Sequence, residues 1–320
     1  MNPAPNSEWI SWLDYLFVLR PMLFYPGWST LLAGFFIAGS ADQSVVNWPL
    51  SNIDQRTIFT LLLSFAAVMG GSFILNQLED VESDRQNKKL FIISGGLLKR
   101  NYLVVETIIL TTLSLCLALT VNFRSTVLIV LFFMVTGILY NFHPLAMKDR
   151  PWGSLSANMM MGGLAFTVGW CALRPCSMDI IPDILPYLFF NTALYLFTTL
   201  PDIEGDIQAN KKTLAVIYGR TGMVRAAFGL YSAGFICALV YTDLLALIFY
   251  ALSLPFFVNT IFTNRIADTL RATKFGILFF ALAICLHWPP YFLLMVTGFY
   301  ATRFYFRRRF NFNYPNFSGN

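Results

Sequence analysis

Residues 57–84 read TIFTLLLSFAAVMGGSFILNQLEDVESD. As far as Leu75 the stretch is apolar, and with its flank it spans the roughly 20 residues a helix needs to cross a bilayer. From Asn76 onward it turns abruptly polar and acidic. Asn76, Asp80 and Asp84 stand four residues apart. On an α-helix a step of four turns about 400°, so these three side chains form one slowly drifting stripe, with Glu79 and Glu82 off it. An amide and two carboxylates on one face at the mouth of an apolar helix repel one another and desolvate poorly. A divalent cation relieves both penalties, and hard oxygen ligands of this kind suit Mg²⁺.

The device occurs again. PDIEGDIQANKK, residues 201–212, follows another apolar run and sets Asp202 and Asp206 at the same spacing, with Glu204 off the stripe. A lysine pair follows each motif, Lys88 and Lys89 in the first, Lys211 and Lys212 in the second. Two acidic stripes with basic partners fit a diphosphate carried by metal ions. Carboxylates hold the cation, the cation holds phosphate oxygens, and lysines neutralise the remaining charge. Solvated helix ends at a membrane surface would explain one such motif; two matched copies at the ends of apolar runs favour a site.

Composition sets the class. The chain has 320 residues, 57% hydrophobic and 12% charged, about half the charged share of a soluble domain. The expected fold is all-α, a polytopic membrane helix bundle of about nine transmembrane helices forming a single domain over residues 1–320. The net charge of +5 gathers in loops on one side and implies no nucleic-acid partner. Among the five cysteines, Cys116, Cys237 and Cys285 lie in apolar helices as packing residues. Cys171 and Cys176 flank one short loop and are expected to remain unpaired, although a bond there is sterically open. The opening MNPAPNSEWISWLD is acidic and lacks the basic start and cleavage site of a signal peptide.

Along the chain, helices are expected over 17–39, 57–78, 102–121, 125–141, 154–172, 182–200, 225–241 and 243–262. Gly70-Gly71-Ser72 and Gly162-Gly163 would permit close helix packing. The loop that leads to residue 101 is long enough to fold as a short helix. After a basic loop with Arg265, Arg271 and Lys274, an apolar stretch runs over 275–306, where Pro289-Pro290 either kinks one helix or divides it in two. The segments that begin with each acidic motif's helix share one order, apolar helix, acidic motif, two helices, which suggests an old duplication.

Basic residues decide orientation. The motif loops hold Arg85, Lys88, Lys89, Lys99, Arg100, Lys211, Lys212, Arg220 and Arg225, and further loops on that side add Lys148, Arg150, Arg265, Arg271 and Lys274. Across the membrane stand Arg56, Arg124 and Arg174. Both motifs are therefore expected on the cytoplasmic side of an inner or plasma membrane. The basic ending TRFYFRRRF favours a turn at Pro289-Pro290 and a cytoplasmic C-terminus.

At these residues the sequence resembles the UbiA superfamily of intramembrane prenyltransferases. Asn76, Asp80 and Asp84 match that family's NxxxDxxxD, followed by Asn87-Lys88, and Asp202 and Asp206 match its DxxxD. KKTLAVIYG, residues 211–219, resembles the stretch after the second motif, and Tyr140, Pro144, Lys148 and Arg150 resemble the loop after the fourth helix. Lys89 stands where many members have proline, so no acceptor identity carries over. The resemblance implies Mg²⁺-dependent transfer of an isoprenyl group from an isoprenyl diphosphate to a lipophilic or aromatic acceptor in the bilayer, through an allylic cation. It implies metal ligation by Asp80, Asp84, Asp202 and Asp206 with Asn76 as neutral ligand, and contacts from Lys88, Tyr140, Lys148, Arg150 and Lys212 to the diphosphate. Aromatic residues, 17% of the chain, would shield and stabilise such a cation. His143 reads as polar loop surface and His287 as interfacial.

Two other readings remain. A transporter or channel would use the acidic stripes for cations, but such proteins place charge near the midplane with broken helices around it. A non-catalytic relative would bind a prenyl lipid and a partner protein, against which two complete motifs argue.

Overall fold

A computed structural model of the chain describes residues 4, 7–40, 54–86, 91–208 and 211–315. Their architecture is all-α, with no strand among them. Seven helices are long and apolar enough to cross a membrane, and Phe123–Leu139 is a shorter apolar helix. Pro151–Leu173 and Pro290–Phe310 add 23- and 21-residue helices. The chain groups into two compact units. One comprises residues 1–28, 55–145 and 290–316, and the other 29–54, 146–289 and 317–320.

In the first unit the helix Gln55–Glu79 packs on Arg100–Val121. Ser64 Oγ donates to the Ser114 carbonyl at 2.8 Å and Ser114 Oγ to the Ser64 carbonyl at 2.7 Å. Small hydroxyl residues bring two membrane helices close and satisfy each other, where lipid offers no competing partner. About two turns further along, Gly70 lies against Leu19 and Ser72 Oγ meets Thr136 Oγ1 at 2.7 Å. Asn122 caps Phe123–Phe133 by accepting from Ser125 N at 2.8 Å. That helix runs into a π-helical turn over Met134–Leu139.

The first expected helix starts later than residue 17. Arg20 adopts a left-handed backbone (φ 55) before Pro21, which ends the short helix Asp14–Phe17, and the long helix is Phe24–Ser40. At the far end of the chain the apolar stretch is two helices, Ile266–His287 and Pro290–Phe310, divided at Trp288-Pro289.

In the second unit Pro151–Leu173 crosses residues 29–40 at backbone contact. A Cβ on Gly34 would stand 2.1 Å from the Phe166 carbonyl oxygen, and one on Gly169 would stand 1.9 Å from that of Leu31. Only glycine fits at these two positions. The core of this unit is aromatic. Phe249 lies 4.6 Å from both Phe190 and Phe280, and Tyr231 stacks on Phe257 at 3.9 Å.

Three expectations change here. The helix placed at 225–241 is Leu214–Val240, because Gly219 (φ 63) lets a first turn join the main helix at a kink. The basic residues Arg271 and Lys274 belong to the helix Ile266–His287 rather than to a loop, with Arg271 3.2 Å from Asp268 one turn away. Finally, Cys171 and Cys176 form a disulfide, their Cα atoms 5.4 Å apart. Helix Pro151–Leu173 stops where Arg174 turns extended, its Nε donating to the Ala38 carbonyl at 2.7 Å, and this folds the loop back on Cys171.

Candidate functional site

The first motif keeps its helical register through a change of helix. Gln55–Glu79 ends at the motif and Val81–Gln86 follows. Across the junction Asp80 N donates to the Asn76 carbonyl at 3.0 Å and Asp84 N to the Asp80 carbonyl at 2.7 Å. The i to i+4 bonds that reach Asp80 and Asp84 thus survive the bend at Asp80, and the stripe positions stay linked through it. Asp80 and Asp84 are half-buried, whereas Glu79 and Glu82 are exposed.

Asn76 is oriented by its neighbours. Its Nδ2 donates to Asp80 Oδ2 at 3.0 Å and to Asn141 Oδ1 at 2.8 Å, which leaves Oδ1 as the amide's ligating atom. Asn141, buried after the π-helical turn, donates in turn to the carbonyls of Thr136 and Gly137, both at 3.0 Å. The turn itself closes from Tyr140 N to the Val135 carbonyl at 3.0 Å. A π turn widens the helix and exposes carbonyls that an ordinary α-helix would fill, and such turns gather at functional sites. Asn141 was not legible as a site residue, because the π turn that aims it has no sequence signature. No sequence signal places Arg20 at the motif, yet its guanidinium lies 4.0 Å from Asp84 Oδ2. Tyr314 packs beside it. Burial pushes that phenol's pKa up, and the Arg20 charge pulls the other way. Tyr140 is half-buried on the same unit. Lys88 lies outside the described residues.

The second motif starts in the 3-10 turn Leu200–Asp202 and continues in the helix Ile203–Gln208, at the C-terminal end of Ile180–Thr198. Asp202 and Asp206 are half-buried and Glu204 is exposed. Thr213 Oγ1 donates to Asp206 Oδ2 at 3.0 Å, and Lys211 N donates to the Asp206 carbonyl at 2.8 Å. The two lysines part here. Lys211 Nζ reaches Asp149 at 3.8 Å, while Lys212 is exposed. Lys148 sits half-buried in the turn Met147–Asp149, and Arg150 stands exposed just before the helix that begins at Pro151. His143 is exposed, and His287 stacks on Phe36 at 5.5 Å. Among the described residues no three His, Cys, Asp or Glu side chains gather to hold a metal by themselves. Each motif offers two carboxylates, the first with an amide oxygen beside them.

Comparison with known proteins adds the lineage. The digeranylgeranylglyceryl phosphate synthase of Saccharolobus solfataricus is 26% identical over 193 residues, which span 57% of this chain and 65% of that curated relative. Two solved structures share the fold. A UbiA homologue from Archaeoglobus fulgidus bound to DMAPP and Mg²⁺ aligns with a TM-score of 0.66 at 20% identity, covering 88% of this chain and 99% of that one. A UbiA homologue from Aeropyrum pernix K1 aligns with a TM-score of 0.64 at 11% identity, covering 86% and 98%. A model described as the UbiA prenyltransferase family matches residues 27–283, and with the greater part of its length so matched, the chain belongs to the UbiA prenyltransferase family.

Proposed function

We propose that this protein transfers an isoprenyl group from an isoprenyl diphosphate to a lipophilic or aromatic acceptor within the bilayer, and that both acidic motifs serve the one diphosphate. The observation that carries this reading is the preserved stripe of Asn76, Asp80 and Asp84, half-buried at a helix end while the neighbouring glutamates face solvent. The donor set fits Mg²⁺, since every ligating atom is a hard oxygen and the hydrogen bonds of Asn76 engage its Nδ2 and leave its Oδ1 to ligate. The relatives agree: the Archaeoglobus fulgidus homologue has been solved with DMAPP or GPP together with Mg²⁺.

Bound Mg²⁺ would supply Lewis-acid neutralisation of the diphosphate as it gains charge. The chain's own residues do the rest. Asp80, Asp84, Asp202 and Asp206 hold the metal-diphosphate in place, with Asn76 as neutral ligand. Lys148, Arg150 and Lys212 draw the oxyanion, as do Lys88 and Tyr140 on the family pattern. The C–O bond breaks with its electron pair leaving on the diphosphate. The acceptor's π or lone-pair electrons capture the allylic carbon, and the acceptor loses a proton. Lys211 is drawn toward Asp149, so Lys212 is the better placed of the pair for the anion. Membranes incubated with labelled prenyl diphosphates and a panel of acceptors, glycerol-phosphate lipids and aromatic acids included, should yield a prenylated product and free diphosphate. Movement of cations without any such product would favour the transporter reading instead.

Asn141 is a positioning residue in this scheme. Asn141→Ala should lower kcat by about 10- to 100-fold and raise the Mg²⁺ concentration needed for half-maximal rate, because Asn76 loses the partner that fixes its amide. An unchanged Mg²⁺ requirement would show that Asn141 only packs.

The disulfide supports a cytoplasmic site. Cys171–Cys176 lies before the helix Ile180–Thr198 and the second motif lies after it, so within this unit they occupy opposite ends of a 19-residue helix, about 28 Å long. Disulfides persist on the oxidising side of a membrane, which supports a reducing, cytoplasmic side for Asp202 and Asp206, in accord with the basic loops. Reaction of a cysteine placed at Lys148 with an impermeant thiol reagent from outside sealed cells would overturn this orientation.

A further inference from the structure

The helix Pro290–Phe310 carries Arg303 and, in its last turn, Arg307, Arg308 and Arg309, which the reaction scheme does not use. One of them is internal. Arg309 Nε and Nη2 donate to Asp14 Oδ1 at 3.0 Å and Oδ2 at 2.8 Å, and Nη1 donates to Ser7 Oγ at 3.1 Å. Tyr305 OH donates to the same Asp14 Oδ1 at 2.7 Å. This clasp ties the N-terminal segment to the helix and fixes the helix's rotation. With Arg309, Tyr305 and Thr302 turned inward, Arg303, Arg307 and Arg308 are turned out and exposed.

The outward face is continuous with a stripe that has the character of a lipid-facing surface. Leu293, Val296, Tyr300 and Phe304 are exposed at spacings of three and four, and the next steps of that stripe are Arg307 and Arg308. Arg308 lies over the Phe304 ring at 5.9 Å. Aromatic residues followed by arginines mark the level at which a membrane helix leaves the hydrocarbon for the headgroups. Beside this helix end, held by the clasp, runs the 3-10 turn Glu8–Leu13. It exposes Trp9 and Trp12, 65% and 67% accessible, on the same side three residues apart. Indole rings so exposed belong at a membrane interface, with the ring in the acyl boundary and the N–H among headgroups.

We infer that Arg303, Arg307 and Arg308, on the helix end that the clasp ties to the turn carrying Trp9 and Trp12, form a binding site for the phosphodiester headgroup of anionic phospholipid. The occupant follows from charge and place. Three exposed guanidiniums have no carboxylate partner among the described residues, and they follow the exposed apolar stripe where its aromatic residues give way to charge. Arginine suits phosphate oxygens through its paired donors.

The test uses the full chain purified in neutral detergent and titrated with phosphatidylglycerol or with phosphatidylcholine of the same acyl chains, bound lipid being read by native mass spectrometry. Each arginine near an anionic lipid contributes about fivefold, so the wild-type preference for phosphatidylglycerol should be about a hundredfold. The triple variant R303Q/R307Q/R308Q should lose that preference, whereas R303K/R307K/R308K should keep it within about tenfold. The melting temperature of each variant checks folding. If the glutamine variant does not fold, salt decides with wild-type protein, since the preference must collapse at high ionic strength. No preference in wild type, a preference that survives the glutamine changes or high salt, or displacement by inorganic phosphate would overturn the lipid assignment. A change in oligomer mass on substitution would also overturn it, in favour of a second copy of the chain on this face.

Discussion

Asparagine at any one of Asp80, Asp84, Asp202 or Asp206 should lower kcat by about 10² to 10⁴, the range for loss of one transition-state electrostatic contact. Glu79→Gln, Glu82→Gln and Glu204→Gln remove the same charge from the same neighbourhoods and should stay within about tenfold of wild type, a residual effect on outer-shell order. The contrast is what the experiment reads. A general field effect would strike both sets alike, because the two kinds of acid alternate within a few residues. The structure separates them by exposure: the four aspartates are half-buried on their stripes, and Glu79, Glu82 and Glu204 face solvent. In the first motif the separation rests on the two i to i+4 backbone bonds that link Asn76, Asp80 and Asp84 across the bend at Asp80. Equal membrane levels of each variant must be shown first, since lost protein mimics lost catalysis. Equal damage from the glutamate changes would mean that the four-residue stripe is not the site.

Removal of divalent cation should abolish turnover, by about 10³-fold or more, and added Mg²⁺ should restore it. The reason is charge balance. Two like charges 4 Å apart repel by about 1 kcal/mol in water and about 4 kcal/mol at the effective dielectric near a protein surface. A diphosphate brought to motif carboxylates meets several such repulsions. The nearby basic side chains are partly committed already, with Arg20 near Asp84 at 4.0 Å and Lys211 near Asp149 at 3.8 Å. A divalent ion converts each repulsion into two attractions. It should also raise the melting temperature in the presence of diphosphate more than in its absence, a readout independent of turnover. Prenyl transfer at full rate in excess chelator would end this reading.

The class of fold was legible because a bilayer imposes a coarse rule. Backbone polar groups in hydrocarbon must be satisfied within the segment, so long apolar runs mean helices. The motif stripe was legible for a similar reason: a spacing of four needs only a helix to put side chains on one face. What failed was local. Arg271 and Lys274 lie in a helix because the amphipathic opening turns of a helix can emerge from the bilayer without breaking, and composition does not distinguish that from a loop. The first long helix begins at Phe24 because a left-handed Arg20 precedes Pro21, a backbone choice fixed by its surroundings.

By itself, then, the sequence determined an all-helical membrane chain, the spacing of the two acidic motifs, and an interruption, kink or division, at Pro289-Pro290. Each depends on neighbours in sequence or on periodicity. Tertiary structure alone decided that Asn141 aims Asn76, that Arg20 approaches Asp84, that Cys171 meets Cys176, and that Asp14 holds Arg309 while Arg303, Arg307 and Arg308 turn outward. Several of these contacts join residues far apart in the chain, and even the short Cys171–Cys176 bridge depends on how the helix end packs. They exist because packing fixes each helix's rotation, a quantity that no local pattern encodes.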